Sequence, residues 1–212
     1  MNPLPVLLIG AGGHAAVVHD CLRLAGRTVA GVLDPSVAIG VEVFPGVVCI
    51  GNDDGVLGER PAGSHLLANG LGSIGSPGRR RLVYERLTRL GFEFISFAHP
   101  SAVIAKGADL ADGTQIMAGA IVQPRVKIGS NAIINTGARI DHDCVIGSHV
   151  HVAPGATLSG GVSIGDGSHV GTAAVLIQGV QVGANSIVGA GVTVLRDVPP
   201  ETTISASKTT VW

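Results

Sequence analysis

The segment Asp141-His142-Asp143 sets an imidazole between two carboxylates. A carboxylate beside a histidine holds one ring tautomer and raises the basicity of the other nitrogen, which is what a general base requires. Neighbours on a flat strand point to opposite faces, so an Asp143–His142 contact requires the chain to turn a corner at this point. A second group, Ile9-Gly10-Ala11-Gly12-Gly13-His14-Ala15, follows an aliphatic run and opens a helical pattern. It matches GxGxxG/A in the setting that gives that motif meaning. Glycine permits a tight turn and a close backbone approach, and the helix N-terminus attracts phosphate. Asp34, about twenty residues on, is placed to accept hydrogen bonds from a ribose or a base. The alternative is a plain strand-to-helix turn. The loop Asn69-Gly70-Leu71-Gly72-Ser73-Ile74-Gly75 also joins a strand to a helix, one that carries Arg79, Arg80 and Arg81. It either lines the same pocket or precedes a helix face solvated by arginine.

Two kinds of chain position these groups. Up to residue 98 strand-like and helix-like segments alternate, which argues for a small parallel α/β sheet, Rossmann-like in its first turn. The expected strands are Val6 to Ile9, Thr28 to Leu33, His65 to Ala68 and Glu93 to Phe97. The expected helices are His14 to Ala25 and Pro77 to Leu90, the latter with Leu82, Leu87 and Leu90 on one side. His99-Pro100 marks the boundary, because the residue before proline is pushed out of helical conformation. With under a hundred residues this unit holds half of a dinucleotide fold, which suits a nucleoside diphosphate such as a nucleotide sugar.

After Pro100 a period of six takes over. Counting from Ile104, through Leu110, Ile116, Val122 and on to Val188 and Val194, every sixth residue is a branched aliphatic, and four places after each stands a small or medium residue such as Ala108, Ala120, Cys144 or Ser168. Ile128-Gly129, Ile146-Gly147, Ile164-Gly165 and Val182-Gly183 recur every eighteen residues. Three sixes therefore make one coil of a triangular prism, with the aliphatic inward and Gly, Asn and Asp at the corners. The expectation is a left-handed parallel β-helix of roughly five coils at the strand spacing of ~4.8 Å, its hand taken from the known hexapeptide class. The division is 1–98 and 99–212.

Residues eighteen apart share a column. His151 and His169 stand in one, between Ile133 and Ile187; His142 lies between Pro124 and Gly160, and Asn135 below Ala153 and Gly171. His142 and Asn135 thus each face a small residue on the next coil, space into which a substrate fits. His149 and His169 read as surface histidines. Cys144 falls in the small inward phase and is not a nucleophile.

Composition narrows the classes. The 212 residues are 46% hydrophobic and 14% charged, with 32 glycines, and mean hydropathy is +0.47, which excludes disorder. Fourteen Lys+Arg against fifteen Asp+Glu leave no basic excess for nucleic acid or an anionic membrane. No run of about 18 apolar residues spans a membrane, and the N-terminus has no secretory pattern. Cys21, Cys49 and Cys144, odd in number and far apart, read as reduced thiols of a cytoplasmic protein.

The order of the two halves resembles the NeuD/PglD-type sugar acyltransferases. The resemblance covers nearly the whole chain and is most specific at IGAGGHA (9–15), FISFAHPSAVI (94–104) and INTGARIDHDCVIGSHVHVAPGATLSGGVSIG (134–165). It implies a homotrimer of surface-polysaccharide or glycan biosynthesis that transfers acetyl from acetyl-CoA, held in the groove between adjacent β-helices, to a sugar. Residue by residue, it implies His142 as catalytic base with Asp143 beside it, where the family often has glutamate. Asn135 would lie near the sugar, and His151, Gly160, Thr172 and Ala190 would line the acyl-CoA. Gly12, Gly13, His14, Asp34 and Asn69 would bind the nucleotide. The usual closing Gly-x-Pro-Ala-Lys turn is absent; the chain ends Ile204-Ser205-Ala206-Ser207-Lys208-Thr209-Thr210-Val211-Trp212. The expected reaction is N-acetylation of a 4-amino sugar carried on a nucleotide, with no metal. Alternatives are O-acetylation of sialic acid or a related sugar, a zinc site of the carbonic anhydrase type using His142, His149, His151 and His169, and a sugar-nucleotide binder without catalysis.

Overall fold

A computed structural model describes residues 4–73 and 78–205. Ile74, Gly75 and Pro77, and Ala206 to Trp212 at the atypical C-terminus, lie outside the described residues. Alternating chain at the N-terminus forms β1 (Val6–Ile9), α1 (Gly13–Leu24), β2 (Val29–Leu33), β3 (Glu42–Phe44), β4 (Val47–Gly51), α2 (Asp53–Gly58), β5 (Leu66–Asn69) and α3 (Gly78–Arg89). The sheet runs β3-β4-β2-β1-β5, parallel except for the β3–β4 hairpin. The hairpin and α2 carry too few apolar residues in phase to announce themselves in the sequence. Glu93 to Phe97 does not close this sheet as a strand. Phe94 makes a single bridge to Leu67, and Phe97–Ala98 already pairs with Gln115–Ile116 of the repeats. The apolar side of α3 also differs from expectation. Leu82 and Leu90 are exposed, and the buried row is Arg80, Tyr84 and Leu87, spaced i, i+4, i+7.

From residue 97 the chain winds into a left-handed parallel β-helix with three flat faces. The first face stacks seven two-residue strands from Phe97–Ala98 to Thr203–Ile204, the second six from Val103–Ile104 to Thr193–Val194, and the third five from Asp109–Leu110 to Gln181–Val182. Register follows the eighteen-residue period, with Ile128, Ile146, Ile164 and Val182 paired in one column. These aliphatics and the small residues four places on form one continuous core. The glycine after each of these aliphatics has a physical reason: a Cβ at Gly129 or Gly165 would lie 2.5 Å from the backbone nitrogen of Ser148 or Ala184 in the next coil. Each corner carries a residue of positive φ every six positions, mostly glycine.

The first face is covered. Val18 and Leu22 of α1 share a core with Phe97, Met117 and Ile133, whose side chains point out of the prism. Among the described residues no helix covers the second and third faces, and Val103, Val145, Val175 and Leu195 stand exposed on them. Among the described residues no helix is long and apolar enough to cross a membrane.

Candidate active site

His142 and Asp143 are the two turn residues between Arg139–Ile140 on the second face and Val145–Ile146 on the third. The corner required by their contact is present, and Asp143 occupies it with φ 61°. His142 Nδ1 stands 2.7 Å from Asp143 Oδ2. Because an ionised carboxylate only accepts, the ring donates from Nδ1 and keeps a lone pair on Nε2. Asp141 Oδ1 accepts from the backbone N–H of His142 at 2.7 Å and fixes the turn. Arg125, one coil below, donates to both oxygens of Asp143 at 2.6 and 2.8 Å. Arg125 first, and His142 with it, hold the Asp143 carboxyl well below the usual carboxylate range. The shorter aspartate therefore still reaches the imidazole.

The space above His142 is not vacant. A Cβ at Gly160 would lie 2.7 Å from Cε1 and 2.9 Å from Nε2 of His142, so the imidazole itself occupies the room that glycine leaves. Gly160, expected to line the acyl-CoA, is buried and seats the ring. His142 remains half exposed at 51%.

The glycine loop is built as its motif implies. Gly10 takes φ 95° against Gly70, whereas Gly12 and Gly13 have no atom within 4 Å of an added Cβ. Packing of the chain thus does not demand their small size. Asp34 anchors the loop: Oδ2 accepts from Ala11 N at 2.8 Å, while Oδ1 accepts from Ser36 N and Oγ at 2.8 and 2.6 Å. Partial burial raises its carboxyl, yet these bonds from Ser36 and Ala11 outweigh that and lower it.

His14 turns away from the loop and into the junction. Its Nε2 donates to Gln115 Oε1 at 2.9 Å, and Gln115 Nε2 donates to Asn69 O at 2.8 Å. Burial, and then the charge of Arg80, lowers His14 to about 4 despite the bond to Gln115. Asn69 is 1% exposed, with Nδ2 donating to Arg80 O and to Asn131 Oδ1 and Oδ1 accepting from Leu71 N. Expected beside a nucleotide, its side chain is engaged here with Arg80 of α3 and with Asn131 of the repeats. Arg80, also 1% exposed, donates to the carbonyls of Asn69 (2.6 Å), Leu71 (2.9 Å) and Asn131 (3.4 Å). Burial lowers it to about 9, which leaves it charged at neutral pH.

His151, expected along the acyl-CoA, also lies in the junction. It is 7% exposed; Nδ1 donates to Ser73 O at 2.9 Å, and Nε2 accepts from Asn135 Nδ2 at 3.0 Å. Both ring nitrogens are engaged, and the bond to Asn135 Nδ2 holds that amide in place. Burial foremost lowers it to about 4. His149, expected at the surface, is 9% exposed, accepts from Asn131 at 2.9 Å and meets the edge of Tyr84. His169 is half-buried, its ring 4.9 Å from that of His151. Among the described residues no three His, Cys, Asp or Glu side chains converge on a metal position. Cys144 is buried with Sγ 3.3 Å from Ser159 O, and burial pushes its thiol up, as its inward phase implies.

The nominated residues therefore fall into separate places. His142, Asp143 and Gly160 share the corner between the second and third faces. Thr172 and Ala190 are exposed on adjacent coils at the corner between the first and second, the corner that also holds Asn135 on a lower coil. His14, Asn69 and His151 sit in the junction. The sequence reading missed Arg125, Gln115, Asn131 and the burial of Arg80. Arg125 was detectable, since it lies eighteen residues before Asp143 and carries the opposite charge.

The description "PglD N-terminal domain" matches residues 5–87, and "Bacterial transferase hexapeptide (six repeats)" matches residues 107–142 and 125–160. The chain is similar to a histidine variant of perosamine N-acetyltransferase from Caulobacter crescentus, solved with CoA and GDP-perosamine. Identity is 38% over 94% of this chain and 92% of that one, with a TM-score of 0.85. It is similar also to the acetyltransferase domain of PglB from Neisseria gonorrhoeae FA1090 in complex with acetyl coenzyme A, at 32% identity over 94% of each chain and a TM-score of 0.86. WeeI from Acinetobacter baumannii AYE, at 23% identity and a TM-score of 0.85 over 96% of this chain and 97% of that one, shares the fold. No curated protein sequence matches the chain. A matching N-terminal domain, matching repeats and relatives of 38% and 32% identity over nearly their full length agree with the geometry of both halves: the chain belongs to the NeuD/PglD-type sugar acyltransferases, which are acetyl-CoA-dependent enzymes.

Proposed function

We propose that the protein is an N-acetyltransferase that moves acetyl from acetyl-CoA to the 4-amino group of a nucleotide-linked dideoxy sugar, with His142 as general base. The observation that carries this reading is the His142–Asp143 bond at a half-exposed corner, which engages Nδ1 and leaves the lone pair on Nε2. The amine nitrogen adds to the thioester carbonyl carbon while Nε2 takes its proton. Asp143 stabilises the resulting imidazolium. A backbone N–H of the coil wall stabilises the tetrahedral oxyanion, an effect worth ~3 kcal/mol. As the C–S bond breaks, the imidazolium returns the proton to the departing thiolate, so the products are an amide and free CoA.

In this reading residues 1–98 bind the nucleotide, through the open side of Gly12 and Gly13 and through Asp34, and residues 99–212 carry out transfer. His142 stands at one edge of the prism and Asn135, Thr172 and Ala190 at another, which supports a homotrimer whose groove joins the edges of adjacent copies. The three buried, unpaired cysteines accord with a cytoplasmic setting. N-acetylation is favoured over O-acetylation because the relative of 38% identity is a perosamine N-acetyltransferase, solved with the amino sugar GDP-perosamine. The test is to offer GDP-, UDP- and dTDP-linked 4-amino sugars with acetyl-CoA, follow free thiol, and repeat with His142→Ala. Thiol release with an amino sugar that the variant abolishes supports the reading. Turnover confined to hydroxyl acceptors, or undiminished in the variant, overturns it.

A further inference from the structure

We propose that Arg125 is a positioning residue for the transfer: it fixes Asp143 against His142 and offsets the carboxylate's charge. The proposal rests on His142 being the base. Arg125 grips Asp143 in the two-point fork that guanidinium and carboxylate share, Nε to Oδ1 at 2.6 Å and Nη2 to Oδ2 at 2.8 Å. Oδ2 is the oxygen that also accepts from His142 Nδ1 at 2.7 Å. One carboxylate is thereby held from two sides, and its orientation sets that of the imidazole. Aspartate leaves one methylene less to adjust with than glutamate does, so the fork supplies the second anchor.

The corner column provides an independent sign. Its left-handed positions are Gly107, Arg125, Asp143, Gly161 and Gly179, with φ of 85°, 61°, 61°, 70° and 77°. That conformation crowds a Cβ, and glycine serves it in the other three coils. The two side chains that depart from glycine are the two that pair with each other, on adjacent coils, beside the base. A pair kept for stability alone would have no reason to occupy strained positions in solvent, with Arg125 at 68% and Asp143 at 44% exposure, where ion pairs contribute little.

The charges facing the ring are Asp141 and Asp143 of its own corner and Arg125 of the coil below, whereas the coil above presents Gly160. Arg139 and Asp141 line the adjoining groove of the second face. Without Arg125 the Asp143 charge beside the ring is no longer offset by the fork, which favours the imidazolium.

The experiment compares wild type, Arg125→Gly, Arg125→Lys and His142→Ala by NMR titration of the imidazoles and by kinetics with acetyl-CoA and GDP-perosamine. Arg125→Gly installs the residue its column otherwise uses, so it melts at or above the wild-type temperature. Its His142 midpoint moves up by about half a pH unit. Its kcat falls about tenfold with KM for acetyl-CoA unchanged. Arg125→Lys keeps the wild-type midpoint and regains part of kcat, because it restores charge without the fork. The titration needs no acceptor and decides by itself if GDP-perosamine is not turned over. A wild-type midpoint in Arg125→Gly overturns the proposal, as does wild-type kcat. If His142→Ala is inactive in that case, the Arg125 proposal alone falls; if His142→Ala turns over normally, the general-base reading falls with it.

Discussion

The corner at His142 and the junction at His14, His149 and His151 use the same side chain to opposite ends. In the junction each ring is enclosed by the other half of the chain and bonded to neutral groups, Gln115 for His14, Asn131 for His149, Ser73 and Asn135 for His151, with the Glu85 carboxylate 3.6 Å from Nε2 of His149 alone. Burial there opposes protonation, to the point that His14 and His151 are lowered to about 4. At the corner the ring is half exposed and bonded to a carboxylate that welcomes an imidazolium. Position in the prism, and not residue type, divides histidines that can trade protons from histidines that join surfaces.

The comparison is broken most directly by exchanging alanine for each ring. His142→Ala should lower kcat by about 10²–10⁴, the usual range for a general base, whereas His151→Ala should lower it by less than about tenfold, acting through Asn135. Equal losses measured under saturating substrate would erase the distinction. Gly160→Ala is the sharper probe of the corner, since its Cβ would meet His142 Cε1 at 2.7 Å and push the ring aside. We expect kcat to fall about 10² with an unaltered melting curve; unchanged turnover would mean that ring placement does not matter.

On the junction side, Arg80→Met should cost about 2 kcal/mol in urea unfolding, because the carbonyls of Leu71 and Asn131 lose the Arg80 donor and that of Asn69 keeps only Gln115. A variant as stable as wild type would show the lock to be dispensable. The smallest effect is a pH dependence of the melt. Burial lowers His14 and His151 to about 4 in the folded chain, against 6.5 for the free side chain. On acidification the unfolded chain therefore binds protons first, so stability present above about pH 6.5 is lost as pH falls toward about 4. From about pH 6.5 to about pH 5.5 this is roughly 1 kcal/mol per histidine, or a few degrees in Tm. His14→Gln should flatten the slope, and a slope identical to wild type would place the proton uptake elsewhere.

The repeats were legible residue by residue because each aliphatic position answers to one local requirement, an inward-facing strand every six residues, repeated until chance is excluded. The same arithmetic placed His151 beside His169 and His142 beneath Gly160, as the structure has them. It also located the corner that brings Asp143 to His142. The α/β half was readable where β1 and the glycine loop carry a pattern. It was not readable in β3, β4 and α2, whose short segments depend on neighbours. Leu82 and Leu90 misled for a related reason: helical spacing shows which residues share a side, but not which side meets the protein.

By itself, then, the sequence determined the two-part architecture, the register of the prism and the identity of the imidazole flanked by carboxylates, all of which follow from periodicity and covalent proximity. Only the tertiary structure decided which histidines are buried, that Arg80 and Asn69 lock the halves together, and that the room beside Gly160 belongs to the ring of His142. Those outcomes depend on how the first face of the prism docks against α1 and α3, and on how a side chain fills the coil above it. Contacts between segments so distant in sequence arise from packing, which leaves no period in the chain to be read.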